Sequence, residues 1–221
     1  ARPSPAVGLR QRWQRWWEGR LPRSDTLVLT QRNVYILPTR PGAMFAVTLL
    51  VLLVASINYQ LNLGHLLTFL LAGAAVVGMH ITHNTLRGLN LSLRAPAPTF
   101  AGQAAALEVM LQHSRPAWRH GIGLRVRDAS RDRPPAWVWT DVPPAGQTSV
   151  HLSFSPPRRG WCDVPTLTAE TRFPLGIFRV WSLWRPAARV LAYPHPEEPC
   201  PPLPASQAHP GGSVTGQVRE G

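Results

Sequence analysis

A long stretch without any charged side chain constrains this chain more than any other feature. No Asp, Glu, Lys or Arg occurs from Pro41 to Leu86, and arginines border it at positions 40 and 87. The stretch contains two apolar runs, GAMFAVTLLVLLVASI and LLTFLLAGAAVVGM, separated by the polar but uncharged NYQLNLGH. A bilayer core about 30 Å thick requires about 20 helical residues. The pattern therefore predicts two membrane spans, near 42–60 and 62–83, joined by a tight turn.

The alternative to a membrane hairpin is a buried helical hairpin of a soluble protein. Soluble helices seldom lose every charge over such a length, because one face normally meets water. A cleaved signal peptide fits poorly, since the first apolar run begins only after Arg40 and no A-x-A-like site follows it. The membrane hairpin is the favoured prediction.

The distribution of arginine predicts the orientation of the hairpin. Residues 1–40 hold eight Arg against Glu18 and Asp25, residues 87–221 hold fifteen, and the turn holds none. Because positive charge is retained in the cytoplasm, both ends of the chain are expected on the cytoplasmic side of the bacterial inner membrane, N-in and C-in. Cys162 and Cys200 would then be reduced thiols. The net charge of +12 suits an anionic bilayer surface, and nucleic acid is not expected as a partner.

A tryptophan-rich segment precedes the first span. In LRQRWQRWWEGRL (9–21), apolar residues with helical spacing form one face, with the arginines off it; the candidate membrane-interface residues there are Trp13, Trp16 and Trp17. A disordered basic tail is the alternative. Tyr59, in the polar turn, is a further interface candidate, because aromatic rings favour the headgroup level.

After the second span the pattern changes to alternation with a period of two residues, which is typical of strands with one buried face. Strands are predicted at 89–94, 104–111, 121–128, 149–154, 166–173 and 188–193. Proline- and glycine-rich turns such as SPPRRG separate them. The sequence thus predicts an antiparallel, all-β, immunoglobulin-like sandwich, although the Cys–Trp–Cys signature of antibody domains is missing.

The segment TRFPLGIFRVW (171–181) contains neither nucleophile nor base. Its pattern predicts a sandwich corner, at which a strand stops at Pro174, bends at Gly176 and resumes in the other sheet. Gly176 is expected to have a positive φ, and Phe173, Leu175 and Phe178 to close the end of the core. The alternative is a docking surface with an exposed Phe178.

Candidate chemistry is sparse. Cys162, with His151 and Asp163, suggests a thiol hydrolase, but adjacent Cys and Asp in a strand point to opposite faces. His80 and His83 are three residues apart on a helix, which suits a shared metal ion or, more simply, polar groups at the membrane interface. The sequence contains no P-loop, GxGxxG or GxSxG motif. We therefore expect no enzyme activity, metal, cofactor or small-molecule substrate.

Several blocks occur in an order that resembles one protein family: RNVYILPTRPGAMFAV, INYQLNLGHLLTFLLA, HNTLRGLNLSLRAPAPTFAGQ, PPRRGW, TRFPLGIFRVW and VLAYPHP. This order, over about residues 30–221, is similar to the N-terminal half of the bacterial domain-of-unknown-function-58 membrane proteins. The resemblance implies a MoxR-type AAA+ ATPase as partner. Family members usually continue, after the residues matching Val218–Gly221, into an acidic Y-x-P-G-D block and a von Willebrand A-like domain. These 221 residues contain no DxSxS motif, so functions of that later domain are not expected of them.

Together these observations predict four parts. They are a basic segment with an interfacial helix (1–40), a transmembrane hairpin (41–86), a cytoplasmic β-sandwich (87–195) and a Pro/Gly-rich linker or tail (196–221). The expected function is that of a membrane scaffold or adaptor, with the bilayer and a MoxR-type ATPase as partners. The alternatives are a membrane-tethered thiol hydrolase using Cys162 and, if the topology is inverted, a periplasmic binding module.

Overall fold

The computed structural model describes residues 22–127 and 136–194, and all structural statements below refer to these ranges. The helices are α1 (Arg40–Asn58) and α2 (Asn62–Leu86). The strands are β1 (Thr26–Val28), β2 (Tyr35–Pro38), β3 (Asn90–Leu93), β4 (Thr99–Phe100), β5 (Ala105–Gln112), β6 (Arg119–Val126), β7 (Val138–Val142), β8 (Gln147–Phe154), β9 (Gly160–Asp163), β10 (Leu167–Thr171), β11 (Phe178–Trp184) and β12 (Arg189–Tyr193). The fold is thus a helical pair combined with a mostly antiparallel, sheet-rich region.

The two helices form the predicted hairpin. Small residues line their contact near the tight turn: a Cβ on Gly64 would lie 2.2 Å from the Ser56 hydroxyl oxygen, and Ser56 itself is buried. The hydroxyl groups of Ser56 and Thr68 donate to carbonyl oxygens one turn earlier, those of Leu52 and Gly64. Small residues and internally bonded hydroxyls allow close approach of helices in an apolar surrounding.

Most of the hairpin surface is apolar and uncovered. Both helices are long and apolar enough to cross a membrane, and only 6% and 11% of their most apolar windows are buried. Side chains such as Met44, Leu63 and Phe69 are at least two-thirds exposed. A buried hairpin of a soluble protein would instead cover these side chains with protein.

The strands form three sheets. A four-stranded sheet has the order β1-β3-β5-β8, a five-stranded sheet the order β2-β11-β10-β6-β7, and a three-stranded sheet the order β4-β12-β9. All pairs are antiparallel except β4 with β12. One buried cluster contains residues of both larger sheets, such as Leu107 and Leu124, which is consistent with a sandwich. Leu86, the last residue of α2, is fully buried in the same cluster, so this helix ends inside the core.

Strands on both sides of the hairpin build the sheets, which corrects the predicted boundary at residue 40. β1 pairs with β3 of the four-stranded sheet, and β2 pairs with β11 of the five-stranded sheet. The Trp184 indole N–H also donates to the Ser24 carbonyl at 2.8 Å. The β-rich region therefore includes the end of the segment that was assigned to a basic N-terminus, and the hairpin is an insertion between β2 and β3.

The predicted sandwich corner is also wrong, because the chain does not change sheets there. β10 and β11 are antiparallel neighbours in one sheet, with Thr171 opposite Val180. Residues 172–177 are thus the turn of a β-hairpin, which we call the 172–177 turn. A proline that stops a ladder and a glycine that permits a bend serve a hairpin as well as a corner. The predicted strand periodicity holds for β3, β5, β6, β8, β10 and β12, whereas β1, β2, β4, β7 and β9 were not predicted.

Candidate functional site

The 172–177 turn contacts both helices near the ends that adjoin the sheets, and we call this contact the junction. At its centre, the backbone N–H of Thr39 donates to the carbonyl oxygen of Ile177 at 2.9 Å. The Thr39 hydroxyl donates to the carbonyl oxygen of Gly176 at 2.7 Å and accepts from the backbone N–H of Gly42 at 3.1 Å. Thr39 is therefore both the N-cap of α1 and the link between that helix and the turn.

Two helical glycines allow the turn to approach. A Cβ on Gly42 would lie 2.0 Å from the Ile177 carbonyl oxygen, a backbone atom. A Cβ on Gly78 in α2 would lie 2.8 Å from Leu175 Cδ1. The turn thus touches α1 in its first helical turn and α2 well before its last residue. Gly42 has a helical backbone conformation that other residues can also adopt. Glycine is therefore needed at this position for close packing and not for its backbone freedom.

The turn has the local conformation that its sequence favours. Gly176 has φ +71°, as predicted, and its N–H closes the turn by donating to the Arg172 carbonyl at 2.8 Å. The Phe173–Pro174 peptide bond is cis. Phe173 is 39% exposed, which contradicts its predicted place in the core, and Phe178 is half-buried. The reason is that regular pairing ends at Thr171, so the ring of Phe173 leaves the sheet and packs on His120 instead.

A fully buried carboxylate fixes the two strands that lead into the turn. Glu170 has no exposed surface and accepts from Arg172 Nε at 2.8 Å and from Arg179 Nε at 2.6 Å. The side chains of Arg172 and Arg179 are 53% and 34% exposed. Because the carboxylate is removed from water, it depends on both guanidinium groups for its stabilisation.

Arg119, at the start of β6, secures the end of α2. Its guanidinium Nη1 donates to the Asn84 carbonyl oxygen in the last turn of that helix, where carbonyl groups lack helical partners. A cation at this position also complements the helix dipole. Burial, and secondarily the charge of Arg115, lowers the pKa of Arg119 from its ordinary value. No local pattern in the sequence indicates this contact, because Asn84 and Arg119 are far apart in the chain.

An exposed aromatic group extends the junction on the side of β6. The Trp118 and His120 rings stack with centroids 5.6 Å apart, and Phe173 lies 5.4 Å from His120. The Asp141 carboxylate contacts His120 Nδ1 at 2.9 Å and accepts from the Gly121 N–H at 2.8 Å. The hydrogen bond with His120, followed by that of Gly121, lowers the pKa of Asp141, whereas partial burial opposes the shift.

Of the four candidate membrane-interface residues, the structure describes Tyr59. Tyr59 caps the end of α1 at the tip of the hairpin and is 70% exposed. Trp13, Trp16 and Trp17 lie outside the described residues. Tyr59 and the junction therefore lie at opposite ends of the hairpin.

The contacts around Cys162 do not form the arrangement that a thiol hydrolase needs. Its thiol is free and buried and donates to the Arg158 carbonyl at 3.2 Å. Asp163 is paired with Arg23 and Arg189. No hydrogen bond in the described part of the chain joins His151 to either residue. Within the same ranges, no three His, Cys, Asp or Glu side chains form a group that could hold a metal ion, at His80 and His83 or elsewhere.

Comparison with known proteins leaves the family open. No protein-family model matches the chain, and no curated protein matches it at a significant level.

Proposed function

We propose that this protein is a membrane-anchored, non-enzymatic adaptor of the bacterial inner membrane. The observation that carries the proposal is the contrast between the helix ends that adjoin the sheets and the rest of both helices. The apolar middles are left uncovered by protein, whereas Thr39, Gly42 and Leu86 are held by the β-rich region. Uncovered apolar surface of this extent supports a lipid surrounding.

In the proposed arrangement both spans cross the membrane and the β-rich region lies in the cytoplasm. Because strands on both sides of the hairpin share sheets, both ends of the hairpin must emerge on one side of the bilayer. The arginines of the flanking segments favour the cytoplasmic side. The sheets are then an immunoglobulin-like sandwich that is joined to the anchor by the junction rather than by a free linker.

The adaptor is proposed to act with a MoxR-type AAA+ ATPase. This part depends on the resemblance of the junction sequence TRFPLGIFRVW and the hairpin turn NYQLNLG to the domain-of-unknown-function-58 proteins. An adaptor requires a fixed position relative to the membrane and a surface for its partner. Thr39 and Gly42 support the first requirement, because they hold the turn against the anchor, and Glu170 fixes the two strands that lead into the turn.

Topology is the decisive test. A reporter that is active only outside the cytoplasm should give no signal when fused at residue 205, and a cytoplasmic reporter at the same site should be active. The opposite pair of results would exclude the cytoplasmic adaptor and favour a periplasmic binding module.

The partner is tested separately, with the full chain in lipid nanodiscs and a purified MoxR-type ATPase. Retention of the ATPase on immobilised nanodiscs, but not on empty ones, is expected. If the protein were instead a thiol hydrolase that uses Cys162, Cys162→Ser would abolish its function in the cell. The same substitution would leave the fold and the retention of the ATPase on the nanodiscs unchanged.

A further inference from the structure

One row of side chains crosses the outward face of the five-stranded sheet. The registers place Tyr35 opposite Trp181, Trp181 opposite Glu170, Glu170 opposite Gly123, and Gly123 opposite Trp139. These residues alternate with core residues such as Leu124, Ala169 and Val180, so they point away from the core. We call this row and its neighbours Arg125, Trp137 and Arg179 the arginine–aromatic face.

The aromatic rings occupy both sides of this face. On the β2 side, Tyr35 lies 5.0 Å from Trp181 between ring centroids. On the β7 side, Trp137 lies 5.7 Å from Trp139, whose ring covers Gly123. Tyr35 and Trp139 are 47% and 50% exposed. Large aromatic side chains that remain open to solvent on a sheet are typical of interfaces.

The centre of the face carries positive charge that its own acid does not balance. Among residues 22–127 and 136–194, Glu170 is the acidic residue on this face, and both of its oxygens already accept from Arg172 and Arg179. Arg125 adds a third guanidinium group, which lies 4.4 Å over the Trp137 ring. Burial lowers the pKa of Arg125, Glu170 opposes this shift, and the nearby Arg179 adds to it. Three arginines around one buried carboxylate leave an excess of positive charge.

Two hydrogen-bond donors on this face have no acceptor. Arg125 Nε and Trp181 Nε1 are each shielded from solvent and make no hydrogen bond in the described part of the chain. A shielded donor without an acceptor is unfavourable, so the polar groups of these two side chains are not fully satisfied in the protein alone.

From these observations we infer that the arginine–aromatic face is a docking surface for an acidic polypeptide segment. Carboxylates of the segment would accept from the guanidinium of Arg125, while its aliphatic groups pack on Trp139 and Tyr35. The inference deepens the proposed adaptor function, because it names the chemistry by which a partner would be held.

A polypeptide fits the face better than a membrane or a nucleic acid does. The row crosses the middle of the sheet, whereas the junction with the helices lies at its end, beyond Phe178. Nucleic acid would bring successive phosphates over the buried Glu170 carboxylate, which repels them. A chain with separated carboxylates can approach the arginines on either side of this acid.

The test uses the full chain in phosphatidylcholine nanodiscs and a fluorescein-labelled peptide of alternating Glu and Thr. Binding by anisotropy at about 0.1 M salt should exceed that of the matched Gln–Thr peptide by about tenfold or more. Arg125→Gln and Trp139→Ala should each weaken binding of the acidic peptide about tenfold. Arg94→Gln removes one exposed charge next to the four-stranded sheet and should change binding of the acidic peptide less than about twofold.

The inference would be overturned if the Gln–Thr peptide bound as tightly as the acidic one, or if Arg94→Gln and Arg125→Gln weakened binding of the acidic peptide equally. It would also be overturned if Arg125 supported tighter binding to a thymidine oligonucleotide of equal charge, or to phosphatidylglycerol nanodiscs, than to the acidic peptide. Circular dichroism of each variant separates lost binding from lost folding. Binding of the peptide does not depend on the side of the membrane on which the sheets lie. A failure of the docking inference can therefore be distinguished from a failure of the proposed topology, which the reporter fusions test.

Discussion

The carbonyl oxygen of Ile177 occupies the space that a side chain on Gly42 would need, with only 2.0 Å between that oxygen and an ideal Cβ. The obstacle is backbone and cannot rotate away, as a flexible side chain could. This contact places the tip of a β-hairpin directly against the first turn of α1, where Thr39 supplies the hydrogen bonds.

The substitution Gly42→Ala should therefore separate the turn from α1. We expect a loss of about 1–3 kcal/mol in the free energy of unfolding, as for other overpacked sites. Gly73→Ala is the matched control, because a Cβ at Gly73 in α2 meets no atom within 4 Å. Thermal unfolding of both variants in nanodiscs is the measurement. Equal melting temperatures for the two variants would contradict the close contact at the junction.

Gly176 tests backbone conformation without a steric obstacle. Its φ is +71° and a Cβ there would meet nothing within 4 Å, so a cost can come only from the backbone. Gly176→Val should destabilise the full chain by about 1–3 kcal/mol. Gly176→Asn should cost less, because asparagine adopts positive φ more readily. Equal effects of Val and Asn in urea unfolding would argue against strain as the cause.

Removal of the buried carboxylate should loosen the β10–β11 hairpin. Breaking a buried ion pair costs about 3–5 kcal/mol, and the exposure of Arg172 and Arg179 places Glu170→Gln near or below the lower end of that range. Unfolding of the full chain measures the loss. The Glu108→Gln variant is the control, since that acid pairs with the mostly exposed Arg94 and should contribute less than about 1 kcal/mol.

Leu175 should lie at the level of the lipid. It contacts Gly78, which is eight residues before the end of α2 and thus about 12 Å inside it. With Cys162→Ser and Cys200→Ser as background, a bimane label on Leu175→Cys should be quenched by brominated lipids. Leu66→Cys on α2 is the positive control and Ser153→Cys on β8 the negative one. Quenching at 66 without quenching at 175 would place the junction away from the bilayer.

The contribution of Asp141 to the free energy of unfolding should decrease at acid pH. Its pKa is lowered in the folded protein, so its contribution is complete above the unfolded value of about 3.9 and is lost as pH falls through the folded pKa. The difference in melting temperature between the wild type and Asp141→Asn should shrink from pH 5 towards pH 2. It should be small, because the Asp141 side chain is half exposed and therefore well screened. A difference that grows on acidification would reverse the assigned sign.

Local signals in the sequence account for the helices, six strands and the conformation of Gly176. Charge-free residues predicted α1 and α2, and alternation predicted strands such as β5 and β8. The N-cap of α1 could also be predicted from the sequence, because a threonine shortly before a proline is common where helices begin, as with Thr39 and Pro41. These features depend on neighbours in the chain, so a local pattern is enough to find them.

Contacts between distant parts of the chain could not be predicted in this way. β1 and β2 are only three and four residues long, too short to show a period, and their partners lie beyond the hairpin. The pattern around Pro174 and Gly176 suits a hairpin and a sheet-switching corner equally. Only the pairing of Thr171 with Val180 distinguishes the two, and with it the contact of the turn with Gly42.

The insertion of the hairpin between β2 and β3 has a consequence for the order of assembly during synthesis. Tyr35 and Ile36 leave the ribosome before either helix, yet their partners Trp181 and Val180 are made near the end of the sheet-rich region. β2 must therefore wait, unpaired, through the insertion of both spans. An unpaired apolar strand is prone to self-association, and Pro38 and the adjoining α1 restrict what it can pair with meanwhile. The five-stranded sheet can close only after translation has passed β11, and the three-stranded sheet only after β12. In the proposed membrane arrangement, both spans are therefore made before either of these sheets is complete.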